Sequence, residues 1–285
     1  MSTIRLYYNL CKPSIVYGNA LTAIAGFFLA SHGSFQLGVF LAMIAGISLV
    51  VASACVFNNY IDRDIDGKMG RTKDRALVSG SIPPSYALIY GAVLGVAGMK
   101  LLILYTNLLT AGVALFGFVI YVFVYTYAKR ITVFSTDIGA LSGAVPPVVG
   151  YTALSNNLDA GAILLFLILF VWQMPHFFAI SIYREEDYRA AGMPVRPIVT
   201  DIFRTKLIMA FYAATFIFAA LTLTIIGLAG YAYAVVLALT SVVWFVIGIS
   251  GFYTHEDKKW ARRMFLFSLI VITAFSLMLV VNWLV

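Results

Sequence analysis

The sequence predicts an all-α polytopic membrane protein, a bundle of about nine transmembrane helices with its N-terminus in the cytoplasm. Of the 285 residues, 62% are hydrophobic and only 11% are charged, whereas soluble proteins carry roughly 25% charged residues. The apolar residues fall into nine runs of about 20 residues, the length that crosses the hydrocarbon core of a bilayer. The basic residues, in addition, collect on one side of the membrane.

The nine apolar runs are 14–30, 35–57, 86–105, 108–127, 138–154, 160–182, 207–228, 232–252 and 264–285. The fifth is the weakest, because it is short and contains Pro146-Pro147, which must break or kink a helix. A total of eight spans therefore stays open. The first run could also be taken for a signal peptide, but eight further runs favour a retained helix. The whole chain, 1–285, is expected to form one transmembrane domain.

The basic residues predict the orientation. If loops are assigned alternately from a cytoplasmic N-terminus, all but one of the 19 Lys and Arg residues fall on the cytoplasmic side, and only Lys100 falls on the other. Basic loops stay in the cytoplasm, so this distribution favours an odd number of spans. Topology thereby explains the net charge of +7, and no nucleic-acid partner is expected. Cys11 and Cys55 both lie near the cytoplasmic side, where a disulfide is not expected.

An acidic cluster lies where the second apolar run ends. Asn58, Asp62 and Asp66 are spaced i, i+4, i+8, so on a helix they share one face and span roughly 12 Å along the axis. Three oxygen-bearing side chains at this spacing can hold one or two hard cations such as Mg²⁺. The alternative is a solvated helix end whose acids are neutralised by Arg63 and Lys68. Polar residues that continue an apolar span tend to be functional.

Basic residues follow these acids in the same loop, at Arg71, Lys73 and Arg75. Mg²⁺ commonly binds through one or two carboxylates together with substrate phosphates, and arginine binds phosphate oxygens bidentately. Acids followed by bases are therefore what a complex of metal and diphosphate requires. Attraction to anionic lipid is the alternative explanation for each base alone. Lys129 and Arg130, at the end of the fourth run, either mark topology or supply further diphosphate contacts.

The sixth run contains a histidine, His176, although a polar residue inside a span is costly unless it is used. It could be a hydrogen-bonded core residue, since Pro175 frees backbone carbonyls nearby. It could instead ligate haem iron or transfer protons. Asp187 follows eleven residues later, about three helical turns, and is therefore expected near the same face.

The aspartate cluster resembles a known motif. The pattern Asn58-x-x-x-Asp62-x-x-x-Asp66 followed by Arg71-Thr72-x-x-Arg75 is similar to the first aspartate-rich motif of the UbiA-type intramembrane prenyltransferases. Three further segments resemble the branch of that family that farnesylates haem: Ser142-Gly143-Ala144-x-Pro146-Pro147-x-x-Gly150-Tyr151, Trp172-Gln173-x-Pro175-His176-Phe177 and Asp187-Tyr188-x-x-Ala191-Gly192-x-Pro194-x-x-Pro197. The likeness extends from Lys12-Pro13 to the region of Trp260, nearly the whole chain.

The resemblance implies a role for each group of residues. The implied ligands of Mg²⁺ are Asn58, Asp62, Asp66 and Asp187. The implied diphosphate contacts are Arg71, Arg75, Lys129 and Arg130. The implied catalytic residues are Asp62, Asp66 and His176, and the implied contacts of haem B, a substrate rather than a cofactor, are His176, Tyr151 and Trp172. The chain departs from the family where relatives often carry a second Asp-x-x-x-Asp pair. Tyr183 stands four residues before Asp187, and Glu186 points about 100° away on a helix, so only Asp187 carries over.

The resemblance also implies a reaction. A farnesyl group would pass from farnesyl diphosphate to a vinyl group of haem B, with addition of water, giving haem O and releasing diphosphate. The implied setting is a bacterial inner membrane with its lipid, and the implied partners are a downstream haem A synthase or terminal oxidase assembly. Alternatives are a UbiA-type enzyme with a different aromatic or quinone-precursor acceptor, a membrane transporter and a haem-carrying assembly factor. Transporters place ionisable groups near the bilayer midplane, whereas these acids lie at helix ends beside bases.

Overall fold

The computed structural model describes residues 2–31 and 33–284. Met1, His32 and Val285, the last being the predicted end of the ninth run, lie outside the described residues. Within the described part of the chain the regular secondary structure is entirely helical. Its α-helices are α1 (Thr3–Leu10), α2 (Pro13–Ser31), α3 (Leu37–Ile61), α4 (Arg63–Asp66), α5 (Pro84–Tyr105), α6 (Leu108–Val119), α7 (Thr126–Ile131), α8 (Ser135–Gly143), α9 (Val145–Ser155), α10 (Ala160–Tyr183), α11 (Glu185–Ala190), α12 (Arg196–Val199), α13 (Ile202–Ile225), α14 (Tyr231–Ser250) and α15 (Asp257–Leu284).

Nine segments of the described chain are long and apolar enough to cross a membrane, which confirms the predicted number. They are Pro13–Ser31, Leu37–Ile61, Pro84–Tyr105, Leu108–Ile131, Ser135–Ser155, Ala160–Tyr183, Ile202–Ile225, Tyr231–Tyr253 and Asp257–Trp283. The ninth span, helix α15, begins at Asp257, well before the predicted start at residue 264. Helical hydrogen bonding continues through its four basic residues, which an apolar-run criterion excludes.

The fifth span is divided at Ala144 into α8 and α9, as its two prolines predict. Pro146 lies in the first turn of α9, where a missing N–H costs nothing. Helix α2 packs closely against α9. A Cβ on Gly26 would come within 1.9 Å of the Pro147 carbonyl oxygen, and one on Gly150 within 1.8 Å of the Ala23 carbonyl oxygen. Small residues at such crossings let membrane helices approach backbone to backbone.

The fourth span changes its winding in the middle. Residues Ile120–Tyr125 form a π-helical turn between α6 and α7, and the N–H of Thr126 donates to the carbonyl of Tyr121. Single π-turns inside α-helices frequently mark functional sites. Apolar periodicity does not reveal this turn, because the whole segment is hydrophobic.

The two long loops that the sequence indicates, after α4 and after α10, pack together at one end of the bundle. Ile65 and Met69 share a buried cluster with Ala191, Met193 and Val195. Helix α1 covers the first loop from the other side, since Leu10 packs in a cluster with Val56, Ala76, Leu77, Ile82 and Ala87. The loops therefore form a structured cap over the helix ends.

One expectation about the second loop is wrong. The helix carrying His176 does not continue to Asp187, because α10 ends at Tyr183 and Arg184 has non-helical torsions, φ −109° and ψ 25°. Asp187 belongs to the separate helix α11. Its position therefore cannot be obtained by counting turns from His176.

Candidate active site

The acidic cluster keeps the helical arrangement that its spacing predicts. Helix α3 ends at Ile61, yet the N–H of Asp62 donates to Asn58 O at 2.9 Å and the N–H of Asp66 donates to Asp62 O at 2.8 Å. Asn58, Asp62 and Asp66 therefore stay on one face. All three are buried, with relative exposures of 2%, 2% and 3%.

Each of the three side chains has a basic partner from a different part of the chain. Lys129 forms an ion pair with Asp62 Oδ2, and Arg75 Nη1 lies 2.5 Å from Asp66 Oδ2. Lys12 Nζ donates to Asn58 Oδ1 at 2.5 Å. Buried carboxylates need such partners, because an unpaired charge in a low-dielectric interior is strongly unfavourable.

Lys12 is a site residue that sequence reasoning missed. It joins α1 to α2 with φ +50°, a left-handed conformation that costs energy in a residue other than glycine. Pro13, which follows it, restricts its backbone further. Burial lowers the pKa of Lys12 to about 8. The available signal was the Lys-Pro pair directly before the first apolar run, which the charge count assigned only to topology.

Asp64 is a second residue that the site predictions left out. Arg130 donates from Nη1 and Nη2 to its carboxylate at 2.7 and 2.8 Å. These hydrogen bonds lower the pKa of Asp64 to about 2. Arg130 Nη2 also donates to Ile61 O at 2.8 Å and lies 3.6 Å from Asp62 Oδ1. Asp64 thus holds the Arg130 guanidinium beside the buried acids.

Two further contacts fix the orientation of the cluster. Asn58 Nδ2 donates to Thr126 Oγ1 at 3.0 Å, and Thr126 Oγ1 donates to Tyr121 O at 2.8 Å, a carbonyl of the π-turn. On the other side of the cluster, Arg75 Nη1 also donates to Asn59 Oδ1 at 3.0 Å. The π-turn therefore holds the amide of Asn58 so that its oxygen points toward Lys12.

Asp187 is brought to the loop that follows Asp66. Its Oδ1 accepts the N–H of Gly70 at 3.0 Å, and its Oδ2 lies 4.0 Å from Arg71 Nε. Within residues 2–31 and 33–284, no three His, Cys, Asp or Glu side chains are close enough together to hold a metal by themselves. Asp187 therefore does not complete a metal cage with Asp62 and Asp66 made of protein ligands alone.

His176 belongs to α10, and its side chain contacts α15 in a network that includes Trp172. Its Nδ1 is 2.6 Å from Ser268 Oγ, and the Trp172 indole donates to Ser268 O at 3.0 Å. The Trp172 ring stacks on the imidazole with centroids 4.7 Å apart, and the Phe265 ring lies 5.1 Å away. Because Nδ1 is engaged by Ser268, Nε2 is the nitrogen left for another contact.

The structure does not bring Tyr151 together with these two residues. The Tyr151 hydroxyl donates to Asp159 Oδ2 at 3.0 Å, at the opposite end of α10 from Tyr183. Asp159 and His176 are separated by about 25 Å along the helix at a rise of 1.5 Å per residue. Tyr151 anchors the start of α10 instead.

The family model described as the UbiA prenyltransferase family matches residues 19–270. The chain belongs to the UbiA prenyltransferase family. Two curated relatives are named protoheme IX farnesyltransferase. The one from Serratia proteamaculans is 49% identical over 98% of this chain and 95% of its own length. The one from Yersinia pseudotuberculosis is 50% identical over the same shares. The predicted family and prenyltransferase class are thereby confirmed.

Solved structures of the UbiA family share the fold. A digeranylgeranylglyceryl phosphate synthase matches with a TM-score of 0.81 at 17% identity, over 99% of each chain. A UbiA homologue from Archaeoglobus fulgidus, solved with GPP and Mg²⁺, matches with a TM-score of 0.70 at 15% identity, over 97% of this chain and 99% of the other. Identities this low establish the fold alone.

The residues of this UbiA family member suit a divalent cation that is shared with a substrate. Asp62 Oδ1 is buried without a hydrogen-bond partner, so a carboxylate oxygen remains for a ligand. Asn58 and Asp66 supply further oxygens on the same face. Mg²⁺ favours one or two carboxylates plus phosphate oxygens over an all-protein cage.

Proposed function

We propose that this membrane protein transfers the farnesyl group of farnesyl diphosphate to a vinyl group of haem B. Diphosphate leaves with the electron pair of the allylic C–O bond, and the vinyl group adds to the farnesyl cation. Water captures the new cation beside the porphyrin and loses a proton, which gives haem O. The observation that carries the proposal is the nearly full-length identity of 49% to 50% with proteins named protoheme IX farnesyltransferase. The buried acids and their basic partners supply a site for the diphosphate of the donor.

The diphosphate end of the donor binds at the acidic cluster. Asn58, Asp62, Asp66 and Asp187 would hold Mg²⁺. The chemistry that a bound Mg²⁺ supplies there is neutralisation of the diphosphate, which makes it a better leaving group. Lys129 and Arg75, now paired with Asp62 and Asp66, lie where they can also donate to diphosphate oxygens. Together with Arg71 and Arg130, they stabilise the charge that develops as the allylic bond breaks.

Two tyrosines adjoin this site and can stabilise the positive charge on the farnesyl group. The rings of Tyr121 and Tyr125 stack with centroids 5.5 Å apart, and the Lys129 ammonium lies 5.4 Å from the Tyr125 ring. Gly139 leaves room for this arrangement, since a Cβ there would lie 2.9 Å from the Tyr125 ring. Electron-rich rings attract cations and help to keep water from quenching them.

The acceptor is proposed to bind on the side of α10 and α15, with His176 in contact with haem B. Ser268 Oγ donates to Phe265 O and so accepts from the Nδ1–H of His176, which orients the imidazole. A partner at that nitrogen is the usual way a protein presents Nε2 to a metal. Trp172 packs on the imidazole face. Tyr151 is not part of this proposed site, because its hydroxyl is hydrogen-bonded to Asp159 at the other end of α10.

The setting of the reaction follows from the same proposal. The basic loops favour a cytoplasmic position for the acidic cluster, where farnesyl diphosphate would arrive, and the bacterial relatives favour a bacterial inner membrane. The product would pass to a haem A synthase or to terminal oxidase assembly. The full chain, 1–285, would act as one transmembrane domain.

The direct test is a product assay. Purified protein in nanodiscs is incubated with haem B, farnesyl diphosphate and Mg²⁺. The pigments are then separated and identified by mass spectrometry. Haem O is the expected product. Correctly folded protein that makes no haem O, but prenylates a quinone precursor supplied in place of haem B, would identify the alternative family activity. Haem binding without any product would instead favour a haem-carrying assembly factor.

His176→Ala is expected to weaken haem B binding at least about tenfold, since even the residues that orient metal ligands contribute 10- to 100-fold. Binding is measured by the shift of the haem Soret band on titration. His255→Ala is the matched control, because His255 is exposed in the turn before α15. If both variants bind haem B as the unaltered protein does, His176 has only a structural role.

A further inference from the structure

A pair of arginines at the start of α15 and the end of α10 is not used by the proposed chemistry. The Arg184 guanidinium lies over the Tyr183 ring at 4.7 Å, and the Arg262 guanidinium lies over the same ring at 5.8 Å. Both side chains are exposed. Within the described residues, neither has a carboxylate at ion-pair distance. Two cationic groups therefore flank one aromatic ring without a counter-ion.

Arg184 helps to line an open pocket of about 590 Å³, and Arg262 contacts the Tyr183 ring in the pocket wall. The lining residues are Gly70, Arg71, Tyr183, Arg184, Glu186, Asp187 and Lys258. Its two acids are taken by two of its cations. Lys258 Nζ lies 2.6 Å from Glu186 Oε1, and Arg71 Nε lies 4.0 Å from Asp187 Oδ2. Arg184 is then the cation of the lining without a carboxylate partner, and Arg262, over the Tyr183 ring, is a second one beside it. This edge of the pocket thus suits a ligand with two negative charges.

The pocket continues the proposed haem site along the same helix pair. Tyr183 follows His176 by seven residues, so it lies on the same face of α10, about 10.5 Å further along. On α15, Phe265 contacts His176 and Arg262, one turn earlier, contacts Tyr183. The imidazole and the two arginines therefore lie along one stretch of the contact between α10 and α15.

On these grounds, and resting on the proposed function, we propose that Arg184 and Arg262 bind the two propionates of haem B. Guanidinium groups pair with carboxylates in a bidentate manner. Lys258, in the first turn of the 28-residue helix α15, lines the pocket, so the positive end of that helix dipole lies at its border. Haem carries both propionates on one edge and both vinyl groups on the opposite edge. Binding of the propionates at the open pocket therefore directs the vinyl groups toward the interior of the helix bundle.

The test compares haem B with its dimethyl ester, which has the same macrocycle and vinyl groups but no propionate charge. Both are titrated into nanodiscs of neutral phosphatidylcholine. The unaltered protein is expected to bind haem B at least about tenfold more tightly than the ester, because one charge-assisted hydrogen bond contributes about that much to affinity. The double variant Arg184→Gln/Arg262→Gln is expected to lose that preference while its affinity for the ester stays the same.

Arg204→Gln is the matched control, because Arg204 is exposed at the start of α13 and makes no ion pair with any described residue. Equal binding of haem B and ester by the unaltered protein, together with haem O formation, would overturn the propionate assignment and leave the proposed function intact. A protein that neither binds haem B nor forms haem O would overturn both.

An anionic lipid headgroup offers similar chemistry to these arginines. Titration in nanodiscs with phosphatidylglycerol distinguishes the two sources. If the double variant differs from the unaltered protein only when phosphatidylglycerol is present, the arginines bind lipid and the assignment is wrong. A preference for haem B over the ester that persists in neutral lipid supports it.

Discussion

Replacing Asp62 by Asn is expected to lower the rate of haem O formation at least about a hundredfold. Asp62 is the centre of the acidic cluster, between Asn58 and Asp66 on one helix face, and its Oδ1 is the carboxylate oxygen left without a hydrogen-bond partner. Asparagine keeps the shape and can still accept a hydrogen bond from Lys129, but it removes the charge that would bind Mg²⁺. The rate is measured at saturating substrates over a series of Mg²⁺ concentrations.

The control for this prediction is Asp74→Asn in the same loop. Asp74 is exposed, so the same chemical change there should leave the rate within about twofold, as for surface substitutions generally. Thermal unfolding of each variant separates lost chemistry from lost folding. An Asp62→Asn protein that is folded and turns over at the normal rate would remove the acidic cluster from the mechanism.

The long helices could be predicted from sequence because hydrophobicity and length decide them. Nine apolar runs became nine spans, and the spacing of Asn58, Asp62 and Asp66 correctly gave a shared face. The basic loops after the second and sixth spans were also found, since polar segments stand out in an apolar chain. These features depend on local composition and helical geometry alone.

The partners within the site could not be predicted, because they come from distant segments. The contact of Lys12 with Asn58 depends on a left-handed residue before Pro13, which no periodicity indicates. The bidentate contact of Asp64 with Arg130 crosses from α4 to α7. The end of α10 at Tyr183, which separates Asp187 from His176, depends on the backbone torsions of Arg184.

The motif around Pro146-Pro147 shows a different limit of sequence reasoning. Its resemblance to haem-farnesylating relatives led Tyr151 to be assigned to haem. In the structure, Gly150 packs on the Ala23 carbonyl, the Pro147 carbonyl packs on Gly26, and Tyr151 bonds to Asp159. These contacts of the motif residues hold helices together. A family-specific pattern thus identified the family without identifying what these residues do.

This packing role gives the second large prediction. Gly26→Ala is expected to destabilise the protein by at least about 3 kcal/mol, the upper part of the range for overpacked sites. The new Cβ would lie 1.9 Å from the Pro147 carbonyl oxygen, which is backbone and cannot rotate away. Helices α2 and α9 would have to separate. The midpoint of unfolding in increasing SDS measures the loss.

Gly18→Ala is a matched control in the same helix, because a Cβ at Gly18 would meet no atom within 4 Å. Alanine is also favoured over glycine inside a helix by roughly 0.5–1 kcal/mol, so this variant should unfold at the same SDS concentration or a higher one. The two substitutions differ only in what the added methyl group meets. If Gly26→Ala and Gly18→Ala unfold at the same SDS concentration, then α2 and α9 do not touch at this crossing. The packing explanation of the Pro-Pro motif would then be wrong.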